Sequence, residues 1–441
     1  MISEQIQKNI IAYAAKFVED GYITAGTLAV RCDTGMAMAR LGADLSKLTV
    51  DDVLYIDDKN IETLEGNARA AAVLLFCTLR HDDKVNAVAI VDSERIVEFS
   101  AKKRTLPPIL DDMAQICGVG VKCAKENTAI EILSALRGLR NCCFMPNAGA
   151  LVTGRTLDEI HTLTLVLDKA CNSYILAEKK GGCKPLGLMD AVLEHVVFKL
   201  KYSKKNQKAQ KAAEKGEAVV TEELPSAITT PELLSLAQQV KDAGVRMLNE
   251  NLVQGTWGNI SVRLDDKSIL CTPSALDYIM LKPEQMAIVD IETKEWKGSN
   301  KATSERGIHC ALMSANKDTT WVLHSHPVYG CILASMGIDL PVPDAYKDVL
   351  GDTIPCSKGG LPGTKKLLNN CMAAIGNAPA VLLKNHGIVV RGNTLDDIVR
   401  ELAEDERAYR SVTLSWMEHS PLLEILKALS EKAILDTCYI C

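Results

Sequence analysis

Apolar residues recur along the chain with two different spacings, and their alternation predicts a mixed α/β protein. Residues 4–20 place Ile10, Phe17 and their apolar neighbours on one side of a helix. Residues 85–91 and 321–326 are instead short, mostly apolar runs of the length expected for buried strands. Helical and strand-like segments alternate in this way through both halves of the sequence.

The same pattern occurs twice in the same order. Arg31, at the end of a strand-like run, corresponds to Arg263, and the segment GRTLDEI from Gly154 corresponds to GNTLDDI from Gly392. The separation between matched residues changes only from 232 (263 − 31) to 238 (394 − 156) along the chain. Such a nearly constant separation predicts a tandem duplication of one α/β domain.

A change of composition separates the two copies. Between Lys201 and Lys215, six lysines alternate with Ala, Gln and Ser, and few bulky apolar residues are present. This composition is typical of a solvated linker. The alternative, a tether for nucleic acid, is disfavoured by the glutamates of the same stretch. We predict a first domain at 1–200, a lysine-rich linker at 201–229 and a second domain at 230–441.

Composition restricts the possible functions. The 441 residues are 47% hydrophobic and 24% charged, which suits two or three soluble domains with cores of their own. A net charge of −6 and only 4% aromatic residues argue against a nucleic-acid partner. No apolar run reaches 18 residues and no secretory signal is recognisable, so we expect no membrane partner and a cytoplasmic location.

The 15 cysteines are accordingly expected to be reduced and to act as small apolar residues. Cys438 and Cys441 have CxxC spacing at the end of the sequence, and a redox or metal role for them is the alternative.

Polar residues with metal-binding chemistry occur in the second copy. His324 and His326 are two positions apart in a strand-like run, so both imidazoles are expected on one face. His386 follows another apolar run, and Gly387 permits a tight turn beside it. Glu305 lies near the start of a helix that precedes the first histidine strand. Three neutral imidazoles suit Zn²⁺ or a similar divalent ion, with a further position for carboxylate, water or substrate.

The first copy repeats the apolar pattern but not these polar residues. If the histidines served only the fold, the first copy would be expected to need them too. The contrast therefore favours a functional role in the second copy and a degenerate first copy. The predicted counterparts are Ala72 for Glu305, Phe76 for His309, Ile90 for His324, Asp92 for His326 and Ala148 for His386.

A second group of polar residues predicts an anion site. Gly258 and Asn259 form a glycine turn with backbone and side-chain donors, and the hydroxyls of nearby Thr and Ser residues add more. Backbone N–H groups and hydroxyls at turns and helix starts hold phosphate without a large positive charge. The segments concerned are Gly258–Ser261, Thr272–Ala275 and Thr303–Ser304.

Taken together, these motifs resemble those of the class II aldolase/adducin family. The resemblance covers about residues 231–415 and is carried by GTxGNxS, TPS, a Ser-Glu pair before a helix, HxHP and NHG. The first half resembles the family only in its apolar skeleton. The resemblance implies two tandem three-layer α/β/α domains, each with a mixed, mostly antiparallel, nine-stranded sheet.

The resemblance also implies site residues and an activity. Zn²⁺, or another divalent metal such as Mn²⁺ or Co²⁺, would be held by His324, His326 and His386, with Glu305 as ligand and acid/base. The activity would be a metal-dependent lyase reaction that cleaves or forms a C–C bond of a small phosphorylated ketose through a metal-stabilised enediolate. A homodimer that forms a pseudo-tetrameric ring, or a higher homo-oligomer, is implied as well. Phosphate recognition would map to Thr256, Asn259, Ser274, Ala275, Thr303 and Ser304.

One departure from the family pattern leaves alternatives open. After Ile354-Pro355-Cys356, glycine stands where family aldolases carry a tyrosine, so the proton donor is unassigned among Lys358, Tyr346 and Tyr439. A sugar-phosphate dehydratase or decarboxylase on the same metal site is the first alternative function. A non-enzymatic, adducin-like assembly module is the second.

Overall fold

The computed structural model describes residues 2–200, 225–253, 256–274, 276 and 278–415 of the chain. Contacts divide the chain into two units. Residues up to Asn172 and the segment that begins at Pro185 belong to the first unit, whereas Ser173–Lys184 belongs with the second half of the chain to the second unit. Most of the predicted linker and the Cys438–Cys441 pair lie outside the described residues.

Six strands of the first unit form one sheet. They are β1 (Thr27–Arg31), β2 (Met36–Ala39), β3 (Val53–Ile56), β4 (Ala87–Val91), β5 (Cys142–Met145) and β6 (Gly149–Gly154). The order across the sheet is β3-β2-β1-β4-β6-β5, and each neighbouring pair is antiparallel. The helices are α1 (Glu4–Glu19), α2 (Gly66–His81), α3 (Glu94–Ala101), α4 (Asp111–Ile116), α5 (Ala129–Leu136) and α6 (Leu157–Glu178), and residues 188–200 are also helical.

Eight strands of the second unit form a larger sheet, and a further pair, β12 (Leu340–Pro341) and β13 (Thr353–Ile354), is separate. The eight are β7 (Asn259–Arg263), β8 (Ser268–Cys271), β9 (Ala287–Asp290), β10 (Trp296–Lys297), β11 (Trp321–Ser325), β14 (Cys356–Ser357), β15 (Ala380–Leu383) and β16 (Ile388–Gly392). Their order is β10-β9-β8-β7-β11-β16-β15-β14, and β14 and β15 are the parallel pair among antiparallel neighbours. The helices are α7 (Pro231–Asn249), α8 (Arg306–Ala315), α9 (Val328–Met336), α10 (Lys347–Leu350), α11 (Lys365–Ile375) and α12 (Leu395–Ser415).

The strand order of the first sheet is repeated within the second, which confirms the predicted duplication. β3-β2-β1-β4-β6-β5 corresponds strand for strand to β9-β8-β7-β11-β16-β15. The pairing registers agree as well, since β4 pairs with β6 as β11 pairs with β16. Arg31 and Arg263 repeat one contact: each guanidinium donates to carbonyls at the end of the helix before the central strand.

The same arginine contacts correct two of the predicted counterparts. Arg31 bonds the carbonyls of Leu79 and Asp82, and Arg263 bonds those of Met313 and Asn316. Asp82 and Asn316 end their helices with nearly the same backbone angles. If Asp82 corresponds to Asn316, then Glu305, 11 residues before Asn316, corresponds to Ala71, and His309, 7 residues before it, corresponds to Leu75. The predictions of Ala72 and Phe76 were wrong by one residue, because the loop before the helix differs in length between the copies.

The prediction of nine strands in each sheet is not confirmed. The described residues form sheets of six and eight strands, which are mixed or antiparallel as expected. The second sheet exceeds the first by β10 and β14, two edge strands of two residues each. Strands this short make few ladder hydrogen bonds, so they depend on their surroundings more than on their own sequence.

Helices cover both faces of each sheet, which gives three layers. In the second unit, alternate strand residues point to two separate apolar clusters. α7, α9 and α12 contribute to one cluster, and α8 and α11 to the other. In the first unit α2 and α5 cover one face. On the other face Phe99 of α3 packs against Phe144 with ring centroids 4.9 Å apart. Among the described residues, no helix is long and apolar enough to cross a membrane.

Leu176, in the segment Ser173–Lys184, tests how far this segment stabilises the second unit. Leu176 is buried in a cluster with residues of α7 and α12. We expect Leu176→Ala to lower the free energy of unfolding of the second unit by about 2–4 kcal/mol, because it leaves a cavity. The four tryptophans, Trp257, Trp296, Trp321 and Trp416, all lie in the second half. Their fluorescence in a denaturant titration therefore reports this unit.

The control is Lys180→Ala, because Lys180 is an exposed residue of the same segment. Its fluorescence transition should match that of the unmodified chain. A Leu176→Ala protein with an unchanged transition would mean that the segment contributes nothing to the second unit.

Candidate metal centre

The two histidines of the HxH motif lie at the end of β11, a central strand of the second sheet. His324 is paired with Asn259 of β7 on one side and with Val389 of β16 on the other. His324 and His326 are both 1% exposed, so both imidazoles are buried. Nδ1 of His324 donates to the carbonyl oxygen of Ile388 at 2.8 Å. This bond fixes the proton on Nδ1 and leaves Nε2 of His324 without a proton, so that its lone pair can accept a hydrogen bond or bind a cation.

A tight turn between β15 and β16 brings His386 to the same place. Asn385 has a positive φ of 62°, and the N–H of His386 donates to Leu383 O. A Cβ on Gly387 would lie 2.2 Å from Ser325 O and 3.1 Å from His326 Cδ2, so only glycine fits this approach. His386 stacks on His324 with ring centroids 4.6 Å apart.

The turn is also held from outside the sheet. The Asn385 side chain donates to the carbonyl of Lys184 at 2.7 Å. Lys184 in turn donates its N–H to Ser335 O at 2.8 Å. Since Lys184 belongs to the second unit, a segment far back in the sequence supports the turn that presents His386.

Glu305 completes the cluster from the first residue before α8. It is 6% exposed. Its Oε1 lies 2.9 Å from His386 Nε2 and its Oε2 lies 3.2 Å from His324 Nε2. The Asn259 amide donates to Oε2 at 2.9 Å. Thr303 accepts the backbone N–H of Glu305 at its hydroxyl, which orients the start of the helix.

The charges of the cluster are those of a metal-binding group. Burial opposes ionisation of Glu305, but His324, His386 and the Asn259 amide outweigh it, so the pKa of Glu305 lies well below its usual value. Burial lowers the pKa of His324 well below its usual value although the Glu305 carboxylate opposes this shift, and the nearby His386 and His326 add to the lowering. The site therefore combines a carboxylate with an imidazole that stays neutral.

These side chains fit a divalent cation. The available ring nitrogens of His324, His326 and His386 all lie within 4.8 Å of one another. His324 Nε2 and His326 Nε2 are 3.0 Å apart, and Nε2 of His324 carries no proton, so it is a donor to a cation. Neutral imidazoles and a carboxylate are the donor set of zinc and related ions.

The predicted phosphate residues are partly brought together. Residues 272–274 run beside 301–303: Thr303 N–H donates to Thr272 O, and Ser274 N–H donates to Lys301 O. Thr303 is buried, whereas Ser304 is exposed next to it. Thr256 is exposed ahead of β7. Ala275 lies outside the described residues.

Asn259 has a different environment from the one its assignment to phosphate implies. Its Oδ1 lies 2.6 Å from Nε2 of His309, and its Nδ2 donates to Glu305. Nδ1 of His309 lies 2.6 Å from the Ser261 hydroxyl. From the sequence, Ser261 was placed in the predicted anion site and His309 among the polar residues that the first copy lacks, but it was not predicted that the two contact each other or that His309 contacts Asn259. The available signal was the repeat, since apolar residues replace both in the first copy.

The first unit has a cavity where the second has its cluster. Its volume is about 750 Å³, and its lining includes the counterparts of all four candidate metal ligands. The carboxylate of Asp92 accepts the N–H groups of Thr24 and Ala25, so it is engaged in holding a turn. The four counterparts, Ala71, Ile90, Asp92 and Ala148, contain no imidazole.

Comparisons with known proteins agree on one family. The profile described as "Class II Aldolase and Adducin N-terminal domain" matches residues 8–175 and again residues 238–412. A 5-methylthioribulose-1-phosphate/5-deoxyribulose-1-phosphate aldolase of Rhodospirillum rubrum is 31% identical over 176 residues, which are 39% of this chain and 78% of the relative. A 5-deoxy-D-ribulose 1-phosphate aldolase of Bacillus thuringiensis serovar kurstaki is 28% identical over 159 residues, 36% of this chain and 75% of the relative. A solved L-fuculose 1-phosphate aldolase is 25% identical, with a TM-score of 0.41 over 44% of this chain and 91% of that chain.

The buried imidazole of His309 predicts how stability depends on pH. Burial lowers the pKa of His309 from 6.5 to about 4. Between these values the unfolded chain binds the proton and the folded chain does not, so stability is complete above pH 6.5 and decreases as the pH falls toward 4. The loss should reach about 3 kcal/mol. Tryptophan fluorescence in denaturant titrations at several pH values measures it.

His309→Leu isolates this contribution, because it removes the titrating ring. The variant should lose less stability than the unmodified chain between pH 7 and pH 4.5. Equal losses in the two proteins would contradict a depressed pKa at His309.

Proposed function

The chain belongs to the class II aldolase and adducin family, and we propose that its second unit is a metal-dependent, aldolase-type lyase. The substrate class is a small phosphorylated ketose, and the bond cleaved or formed is a C–C bond. One observation carries the proposal: three imidazoles and one carboxylate from three separate segments converge in a buried cluster. The first unit, in which these four residues are replaced, has no such role.

Each residue of the cluster has a task in this reaction. His324, His326 and His386 would hold the metal together with Glu305. A divalent ion bound there acts as a Lewis acid on the ketose oxygens and offsets the negative charge that develops when the C–C bond breaks. Glu305 acts as acid/base and moves the proton, for which its ionised state is suited.

The substrate class follows from the relatives and from the polar residues beside the cluster. The relatives reported above are named as aldolases of 1-phosphate sugars. Ser274, Thr303 and Ser304 are gathered next to Glu305 by the pairing of residues 272–274 with 301–303. Their hydroxyls and backbone N–H groups provide donors for a phosphate group without a large positive charge.

Lys358 is the proposed proton donor in place of the missing family tyrosine. β14 and β15 are parallel, and Ser357 is paired with Leu383. Lys358, the residue after β14, therefore lies at the same end of the sheet as Lys384, the residue after β15, from which Asn385 leads to His386. The Lys358 side chain is exposed. Tyr346 is half-buried elsewhere in this unit, and Tyr439 lies outside the described residues.

An assay with purified full-length protein and a panel of phosphorylated ketoses tests the function. L-fuculose phosphate and 5-deoxy-D-ribulose 1-phosphate belong in the panel because relatives are named for them. We expect two carbonyl fragments as products, loss of activity with EDTA, and recovery on addition of Zn²⁺, Mn²⁺ or Co²⁺. Products that have lost water or CO₂ would instead favour a dehydratase or decarboxylase.

Glu305→Gln tests the acid/base role. The amide keeps the shape of the side chain but cannot accept a proton, so kcat should fall by at least about 100-fold. The bound metal, measured by elemental analysis, should remain above half of the unmodified level. Glu250→Gln, at an exposed position, is the control with full activity. Full activity of Glu305→Gln would refute the role.

A further inference from the structure

A chain of buried hydrogen bonds leads from Glu305 away from the cluster. Asn259 Nδ2 lies 2.9 Å from Glu305 Oε2, and Asn259 Oδ1 lies 2.6 Å from His309 Nε2. On the far side of the ring, His309 Nδ1 lies 2.6 Å from the Ser261 hydroxyl. His309 and Ser261 are fully buried, and Asn259 is 6% exposed. Water therefore has little access to replace any of these contacts.

Proton positions along this chain have one consistent arrangement. A carboxylate only accepts hydrogen bonds, so Asn259 must present its NH₂ group to Glu305. Asn259 Oδ1 then faces His309, whose Nε2 must carry the proton, and Nδ1 accepts from the Ser261 hydroxyl. The arrangement needs a neutral imidazole. Burial supplies it, since it lowers the pKa of His309 to about 4.

The first unit shows that the fold does not need this chain of bonds. The strand registers and the arginine contacts align Asn259 with Thr27, Ser261 with Ala29, His309 with Leu75 and Glu305 with Ala71. Leu75 and Ala29 are buried there in an apolar cluster, and the Thr27 hydroxyl donates to a backbone carbonyl of its own sheet. The same strands and helix thus form with apolar side chains at these positions. The polar chain is absent where the histidine cluster is absent.

We propose that His309 is a positioning residue, which acts through Asn259 to fix the orientation of the Glu305 carboxylate. The inference rests on the proposed function, because it assigns Glu305 the task of metal ligand and acid/base. His309 touches neither metal nor substrate. Its task is to prevent rotation of the Asn259 amide, since a rotated amide would turn an oxygen toward the carboxylate and repel it.

The test compares variants of the full-length protein by their affinity for Co²⁺, measured by titration of visible absorption. His309→Leu introduces the residue that occupies the same position in the first unit. We expect it to weaken Co²⁺ binding about 10- to 100-fold, as is usual when a support of a metal ligand is lost. His309→Gln keeps one donor and one acceptor and should stay within about threefold of the unmodified chain.

A double-variant cycle shows whether His309 acts through Asn259. Asn259→Ala should weaken Co²⁺ binding to a similar extent as His309→Leu. The double variant Asn259→Ala/His309→Leu should be no weaker than Asn259→Ala alone, because the two residues act in series. Multiplied losses in the double variant would overturn the proposal, as would unchanged affinity in His309→Leu.

Two further measurements separate the possible failures. Tryptophan fluorescence establishes that each variant is folded. In the sugar-phosphate assay at saturating metal, His309→Leu should lower kcat while KM stays within about threefold, because the residues that would bind the phosphate are unchanged. If the unmodified chain binds Co²⁺ and the cycle behaves as expected but no ketose is cleaved, the lyase function alone fails. If ketose is cleaved and His309→Leu changes neither Co²⁺ affinity nor kcat, the positioning role alone fails.

Discussion

The buried carboxylate of Glu305 sets the requirements for the residues around it in the second unit. A charge removed from water is costly unless several donors or a cation compensate it. His386 and Asn259 meet this requirement at 2.9 Å each. His324 is nearby, with its own orientation fixed by the carbonyl of Ile388. The ends of β7, β11 and β16 and the start of α8 thus meet around one negative charge.

The sequence alone was sufficient to predict those parts of the fold and the site that occur in both copies or follow the periodicity of a strand. The duplication, the central strands and the shared face of His324 and His326 were all predictable, because strand periodicity determines which side chains share a face. The two short edge strands, β10 and β14, were not, since two residues carry no periodic signal. The role of His309 was also missed. Its partners are Ser261 and Asn259, 48 and 50 positions away, and only the folded sheet and helix bring them together.

Comparison of the two units separates backbone geometry from chemistry. Asn147 of the first unit has a positive φ of 58°, as Asn385 has one of 62° in the second, and a Cβ on Gly149 would lie 2.1 Å from Val91 O. The equivalent turn in the second unit presents His386. The first unit therefore retains the close approach of turn and strand although Ala148 replaces the histidine. The tight turn therefore belongs to the fold, because it also forms in the unit that lacks the imidazole.

The assignment of Ser173–Lys184 to the second unit has a consequence for how such a gene could be divided or recombined. The chain does not change from one unit to the other at a single point: Ser173–Lys184 belongs to the second unit, while the segment from Pro185 belongs to the first. A split of the gene within the lysine-rich stretch would leave the later product without the backbone carbonyl that anchors Asn385. Exchange of the second half between homologous genes would keep Ser173–Lys184 with the partners of its own gene only if the breakpoint fell before Ser173.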